Sequence, residues 1–156
     1  MTKDQYDKEM NSIEARYRIA KNGCDSLAGN AKDVCMADAK GKREVSKAEL
    51  EAHYQPSERN NYDLAITKAQ TTYDVDKEKC NDKAGNDKDV CVKEAKAALI
   101  KAKADAWTLM KGGNPQAAQK DKRDADYEVA KEKCNSLAGD AKERCINEAK
   151  ARFGKS

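Results

Sequence analysis

The chain has 156 residues, of which 31 are basic and 28 acidic, for a net charge of +3 and a mean hydropathy of −1.03. Charges of both signs interspersed this evenly leave no concentrated basic face for a phosphate backbone, which argues against nucleic acid as a partner. No run of even ten residues is continuously apolar, so the sequence carries neither a transmembrane helix nor a signal peptide, and sparse large apolar side chains among many alanines predict an array of small units over one thick core.

The polar start Met1-Thr2-Lys3-Asp4 leads into a first helix predicted over 3–28. There Tyr6, Met10, Ile13, Tyr17, Ala20, Cys24 and Leu27 step by fours and threes, as the seam of a coiled coil does. Gly29 is expected to end this helix in a left-handed conformation. Asn30 is then the expected N-cap of a second helix over 31–54, with Asp33 near its positive end. Gly41 is a weak point inside that helix, which stops at His53-Tyr54, before Pro56-Ser57.

A third helix over 58–84 repeats the seam as Tyr62, Ile66, Ala69, Tyr73, Asp76, Cys80 and Lys83, with its last positions turned polar. Gly85, Asn86 and Asp89 repeat the turn and the cap. The fourth helix, 87–111, is the most apolar arm, with Leu99, Ile100, Trp107, Leu109 and Met110. Gly112-Gly113-Asn114-Pro115 separates it from a fifth helix over 116–138, and Gly139, Asp140 and Glu143 precede a sixth over 141–153.

These elements are one unit written three times. Tyr17 to Lys40 (YRIAKNGCDSLAGNAKDVCMADAK) returns at Tyr73 to Lys96 (YDVDKEKCNDKAGNDKDVCVKEAK) and at Tyr127 to Lys150 (YEVAKEKCNSLAGDAKERCINEAK), at offsets of 56 and 54. The units are 1–55, 56–113 and 114–156, each a helical hairpin, the third with a shorter second arm. The expected fold is all-α: three tandem antiparallel hairpins, elongated or bundled.

In each unit the first cysteine lies five residues before the turn glycine and the second five residues after the Asn or Asp that follows it. Equal arms place the two opposite one another, and small neighbours such as Ala20, Ala28, Ala31 and Ala39 admit the close Cα approach a disulfide needs. Among the connectivities open to six cysteines, symmetry selects Cys24 with Cys35, Cys80 with Cys91, and Cys134 with Cys145. Disulfides in turn place the mature protein in an oxidising compartment.

The phrases YDVDKEKCNDKAGNDKDVCVKEAKA and AKDVCMADAKGKREVSKAELEAHYQPSERNNYD resemble small exported proteins of Gram-negative bacteria that are sometimes labelled cell-envelope biogenesis proteins. The resemblance spans residues 12 to 150. It implies export to the periplasm, with an export leader missing ahead of Thr2, and brings no activity and no site residue with it.

Thiolates also bind zinc or copper(I), but zinc ligands come as closely spaced pairs, whereas these units offer two sulfurs across a hairpin and no third ligand repeated beside them. His53 is the sole histidine, at a helix end and without a recurring partner, so an exposed or capping role is expected. Asp74 with Asp76, and Asp124 with Asp126, are two residues apart and point to different helix faces. The cluster around Trp107 is either the centre of packing between hairpins or a partner-binding face, with Trp107, Leu109 and Met110 as the candidate contacts.

No catalytic residue and no cofactor is expected. The expected function is that of a noncatalytic periplasmic protein that binds an envelope partner or client proteins in envelope stress. The alternative is a carrier of a metal or small molecule that uses thiols or carboxylates.

Overall fold

Thr2 and Gln5 open the first helix by capping each other. The Thr2 hydroxyl accepts from the Gln5 N–H at 3.2 Å, and the Gln5 side chain accepts from the Thr2 N–H at 2.8 Å. Ser57 and Asn114 cap the first helices of the second and third hairpins, Asn114 with Pro115 in the first turn behind it. In the computed structural model, which describes all residues from Met1 to Ser156, these caps begin α1 (Lys3–Gly23), α3 (Glu58–Lys79) and α5 (Pro115–Lys133). Their partners are α2 (Gly29–Tyr54), α4 (Gly85–Thr108) and α6 (Gly139–Phe153). The fold is all-α, and three disulfide-stapled hairpins make it up, as the cysteine spacing implies.

The hairpin tips differ from the sequence expectation. Each first arm ends at its cysteine, five residues early, in a single 3₁₀ turn (Cys24–Ser26, Cys80–Asp82, Cys134–Ser136). Two extended residues follow, and then Gly29, Gly85 or Gly139 takes φ near +54° as the first residue of the next helix. The left-handed glycine therefore starts the second arm; it does not end the first. Packed helix axes lie about 8–10 Å apart, and the extended pair Leu27–Ala28 crosses that gap, which a two-residue link inside helical geometry does not. Asn30, Asn86 and Asp140 accordingly lie within the first turn, and no side chain caps α2, α4 or α6.

Cross-arm pairs fix the register of each hairpin. In the first, Tyr6 donates to Glu51 at 2.9 Å and stacks on Tyr54, Glu14 pairs with Lys47, and Cys24 bonds Cys35, so partners advance along α1 as they recede along α2. The other contacts run the same way: Lys68 with Glu49 between α3 and α2, Lys103 with Gln70 between α4 and α3, and Lys93 with Glu128 between α4 and α5. Every helix packs against its neighbours in sequence, and no other pair of helices shares more than a marginal contact. The result is an antiparallel row one helix thick, with the three stapled tips along one end and both linkers along the other.

A row of this kind buries little. Only 15 residues are buried, nine of them alanine and three the first cysteine of each staple, and none of the 15 is charged or polar. The accessible surface is 9830 Å², against about 7800 Å² for a compact monomer of the same 17.2 kDa mass. The array is elongated.

The seam read in α1 holds through Tyr6, Met10, Ile13, Tyr17 and Cys24, but Ala20 is exposed. Leu27, which lies beyond the helix, is 41% exposed. Gly41 does not interrupt α2. It is buried where α3 crosses, and a Cβ at that position would stand 3.1 Å from the Thr71 Cβ, so the missing side chain is what lets hairpins one and two meet.

Candidate functional site

Six sulfurs form three staples, Cys24–Cys35, Cys80–Cys91 and Cys134–Cys145, each with Cα atoms 5.7 Å apart, and no cysteine is free. Nowhere do three His, Cys, Asp or Glu side chains converge as ligands on a metal would. His53 is exposed at the end of α2. No helix is long and apolar enough to cross a membrane. The three disulfides fit an oxidising compartment.

Shifted titrations mark surface contacts, some within one helix, as between Arg59 and Asp63, and some between arms. A hydrogen bond from Lys47 lowers the Glu14 carboxyl, with the Lys47 and Arg43 charges adding to it. The hydrogen bond to Glu51 raises the Tyr6 phenol. Asp124 is lowered to about 2 by Lys120 and by Lys155, which the left-handed Gly154 turns back onto α5. Lys47, Glu51 and Lys155 tie one segment to another, Lys120 acts within α5, and none of these contacts closes a cleft around a second titratable group.

The apolar arm is where the chain exposes what it could have buried. Trp107 packs edge-on against Tyr62, with ring centroids 6.3 Å apart, and still shows 44% of its surface. Leu109 follows α4 and is 84% exposed, and Met110 is half-buried. The three candidate contacts do not form one patch. Leu109 lines a groove with Ala102 and Ala106 that Trp107 does not touch, because residues two apart on a helix differ by about 200° in direction.

That groove, of about 570 Å³, runs between α3 and α4 and is walled largely by alanine together with Tyr73, Leu99 and Leu109. Lys68, Asp76 and Asp105 stand at its rim. A second cleft of about 620 Å³ between α4 and α5 is lined mostly by charge, including Lys93, Asp124 and Lys155. Neither cleft is evident from the shared features of the repeat. The signal lies in the positions where the second unit departs from the other two, since Leu99 aligns with Arg43 and Phe153 at the offsets that align the cysteines.

No protein-family model matches the chain, and no curated protein or solved structure is detectably similar to it. Functional inference therefore rests on the chain's own geometry.

Proposed function

We propose that the chain is a noncatalytic helical repeat protein of the periplasm that acts by holding a protein partner, an envelope component or a client in envelope stress. The observation that carries this reading is Trp107. It is the chain's one tryptophan, 44% exposed, and held in place by the Tyr62 ring rather than left free. Aromatic side chains of that kind, ordered before binding and still accessible, dominate free energies at protein interfaces. In the first hairpin the same position is Glu51, hydrogen-bonded to Tyr6, so the tryptophan is peculiar to the second unit.

The resemblance to exported proteins, and three staples that a reducing cytoplasm would open, support the assignment to the periplasm. Repetition that preserves turn glycines and cysteines, with no repeated acid–base or nucleophilic group, supports a scaffold whose product is its surface.

The test is capture from a periplasmic extract by the immobilised protein and by Trp107→Ala, with helicity measured in parallel. Loss of the captured protein with unchanged circular dichroism supports the reading. Unchanged capture removes Trp107 from the binding face, and loss of helicity assigns the side chain to packing.

A further inference from the structure

At offsets of 56 and 54 residues the three hairpins place a tyrosine at the same point of the first arm: Tyr17, Tyr73 and Tyr127. Two of these rings carry a cation supplied by the chain itself. The Arg43 guanidinium lies 4.2 Å from the Tyr17 centroid and is steadied by Glu44 at 2.6 Å. The Lys155 ammonium lies 5.7 Å from the Tyr127 centroid, with the Phe153 ring 6.5 Å away at its edge. In the second hairpin the residue aligned with Arg43 and Phe153 is Leu99, and no cation or second aromatic ring lies on Tyr73.

Around this open ring the second hairpin is hollowed out. Where the first has Ile13, Lys42, Ser46 and Leu50, the second has Ala69, Ala98, Ala102 and Ala106. The groove holds about 570 Å³, against about 300 Å³ for its counterpart beside Tyr17, and falls within the range of small-ligand sites, about 300–1000 Å³. One replacement adds charge. Asp76 stands where the other hairpins have Ala20 and Ala130, and it lines the groove with Tyr73. It pairs with Lys79 at 3.1 Å on an open surface, a contact that a competing cation displaces readily.

We propose that the α3–α4 groove binds a small amphipathic organic cation, its charged head on the Tyr73 ring beside Asp76 and its apolar stem along the alanines towards Leu109. The chain itself shows the chemistry. Arg43 is a cation on an aliphatic stem, laid in the corresponding groove of the first hairpin. The ligand takes the place that Leu99 is too short and too apolar to fill. This site is separate from the Trp107 face and does not rest on the protein-binding reading.

The full chain with its disulfides intact is titrated with octylguanidinium, below its micellar concentration, and followed by amide chemical shifts. Octyl sulfate and octyl glucoside serve as controls with the same stem. Octylguanidinium is expected to give saturable shifts along Ala69, Tyr73, Leu99 and Ala102, with both controls at least about threefold weaker, as a solvent-accessible cation–π contact beside an acid provides. Leu99→Arg installs the first hairpin's own residue and is expected to abolish binding with helicity unchanged. Tyr73→Leu, a second route should Leu99→Arg fail to fold, is expected to weaken it about two- to fivefold.

Equal affinity for all three octyl compounds overturns the cation, and undiminished binding to Leu99→Arg or Tyr73→Leu overturns the site. Absence of saturable shifts overturns both. An alanine-rich helical peptide with a single arginine that binds more than about tenfold tighter than octylguanidinium reassigns the groove to a protein and overturns the small-ligand proposal. None of these readouts involves Trp107, so failure here leaves the capture experiment standing, and the reverse also holds.

Discussion

Removing a staple is the perturbation whose size the structure best defines. Each disulfide joins residues 11 apart, and the chain-entropy relation for a loop of that length gives about 2.8 kcal/mol. The three are distant from one another and should add to about 8 kcal/mol, against a total stability of about 5–15 kcal/mol for a domain. Nine of 15 buried residues are alanine, so packing has little in reserve to replace that sum. At about 2–4 °C per kcal/mol for a chain of this size, each paired Cys→Ala variant should melt about 6–11 °C below the wild type, and the triple variant should be largely unfolded at 37 °C.

The location of the effect is also defined. The α6 helix has 15 residues, a single buried one, Ala149, and substantial contact only with α5 and the turn Cys134–Ser136 that ends the same arm, whereas α2 to α5 each have neighbours on both sides. Loss of Cys134–Cys145 should therefore free α6 locally before the rest of the array unfolds, as expected of a quasi-one-dimensional repeat. Thermal circular dichroism gives the midpoints and hydrogen exchange gives the location. Wild type reduced with a phosphine controls for the sulfur volume lost in the variants. A triple variant that keeps full helicity at the wild-type midpoint would refute the entropy argument. Uniform exchange across α1 to α6 in Cys134→Ala/Cys145→Ala would refute the local one.

Gly41→Leu should lower stability by about 1–3 kcal/mol, the usual cost of overpacking, because a Cβ there already meets Thr71 at 3.1 Å; an unchanged denaturation midpoint would show that the hairpins separate freely. Asp124 is lowered in the folded state from 3.8 to about 2, so its clasp to Lys120 and Lys155 contributes above about pH 4 and is lost as pH falls towards 2. The Lys155 resonances should shift from the Tyr127 ring current to random-coil values over that interval, and Asp124→Asn should show the released values at neutral pH. Tyr6 is raised above the ordinary phenol value by its bond to Glu51, so its own ionisation, followed by NMR, should move to lower pH in Glu51→Gln; an unmoved midpoint would remove the bond as the cause.

Spacing alone carried most of the fold. Six helices, the linkers at Pro56 and Pro115 and all three cysteine pairings follow from the alignment at 56 and 54 residues and from where glycine and proline fall. The tips were less legible. Asn30 after Gly29 reads as a cap on composition, but the width of the gap between packed helices decides where the chain can turn, and sequence does not state that width. Gly41 reads as a flaw when α2 is considered alone and becomes a contact once α3 lies against it. Trp107 and Leu109 look like one cluster in the linear chain, and the turn of the helix separates them. The groove was hidden for a different reason: attention to what recurs finds the scaffold, whereas Leu99 in the place of Arg43 is a failure to recur.

That distinction bears on why the second hairpin can hold the groove. Replacing Ile13 and Leu50 by Ala69 and Ala106 removes large buried side chains, a change that costs about 2–5 kcal/mol apiece in folded cores. A terminal hairpin, packed against one neighbour, has no second interface to offset such a loss. The second hairpin has two. Exposed ion pairs, each worth little in stability, set its register on one flank through Glu49 and Lys68, and on the other through Glu94 with Lys133, Lys101 with Asp126 and Lys122 with Asp105. Alanine stripes on α4 (Ala97, Ala104) and α5 (Ala118, Ala125) are buried as well. The hollow therefore lies in the unit whose position is fixed from outside, where side-chain volume can be given up for a binding surface without the arms losing their register.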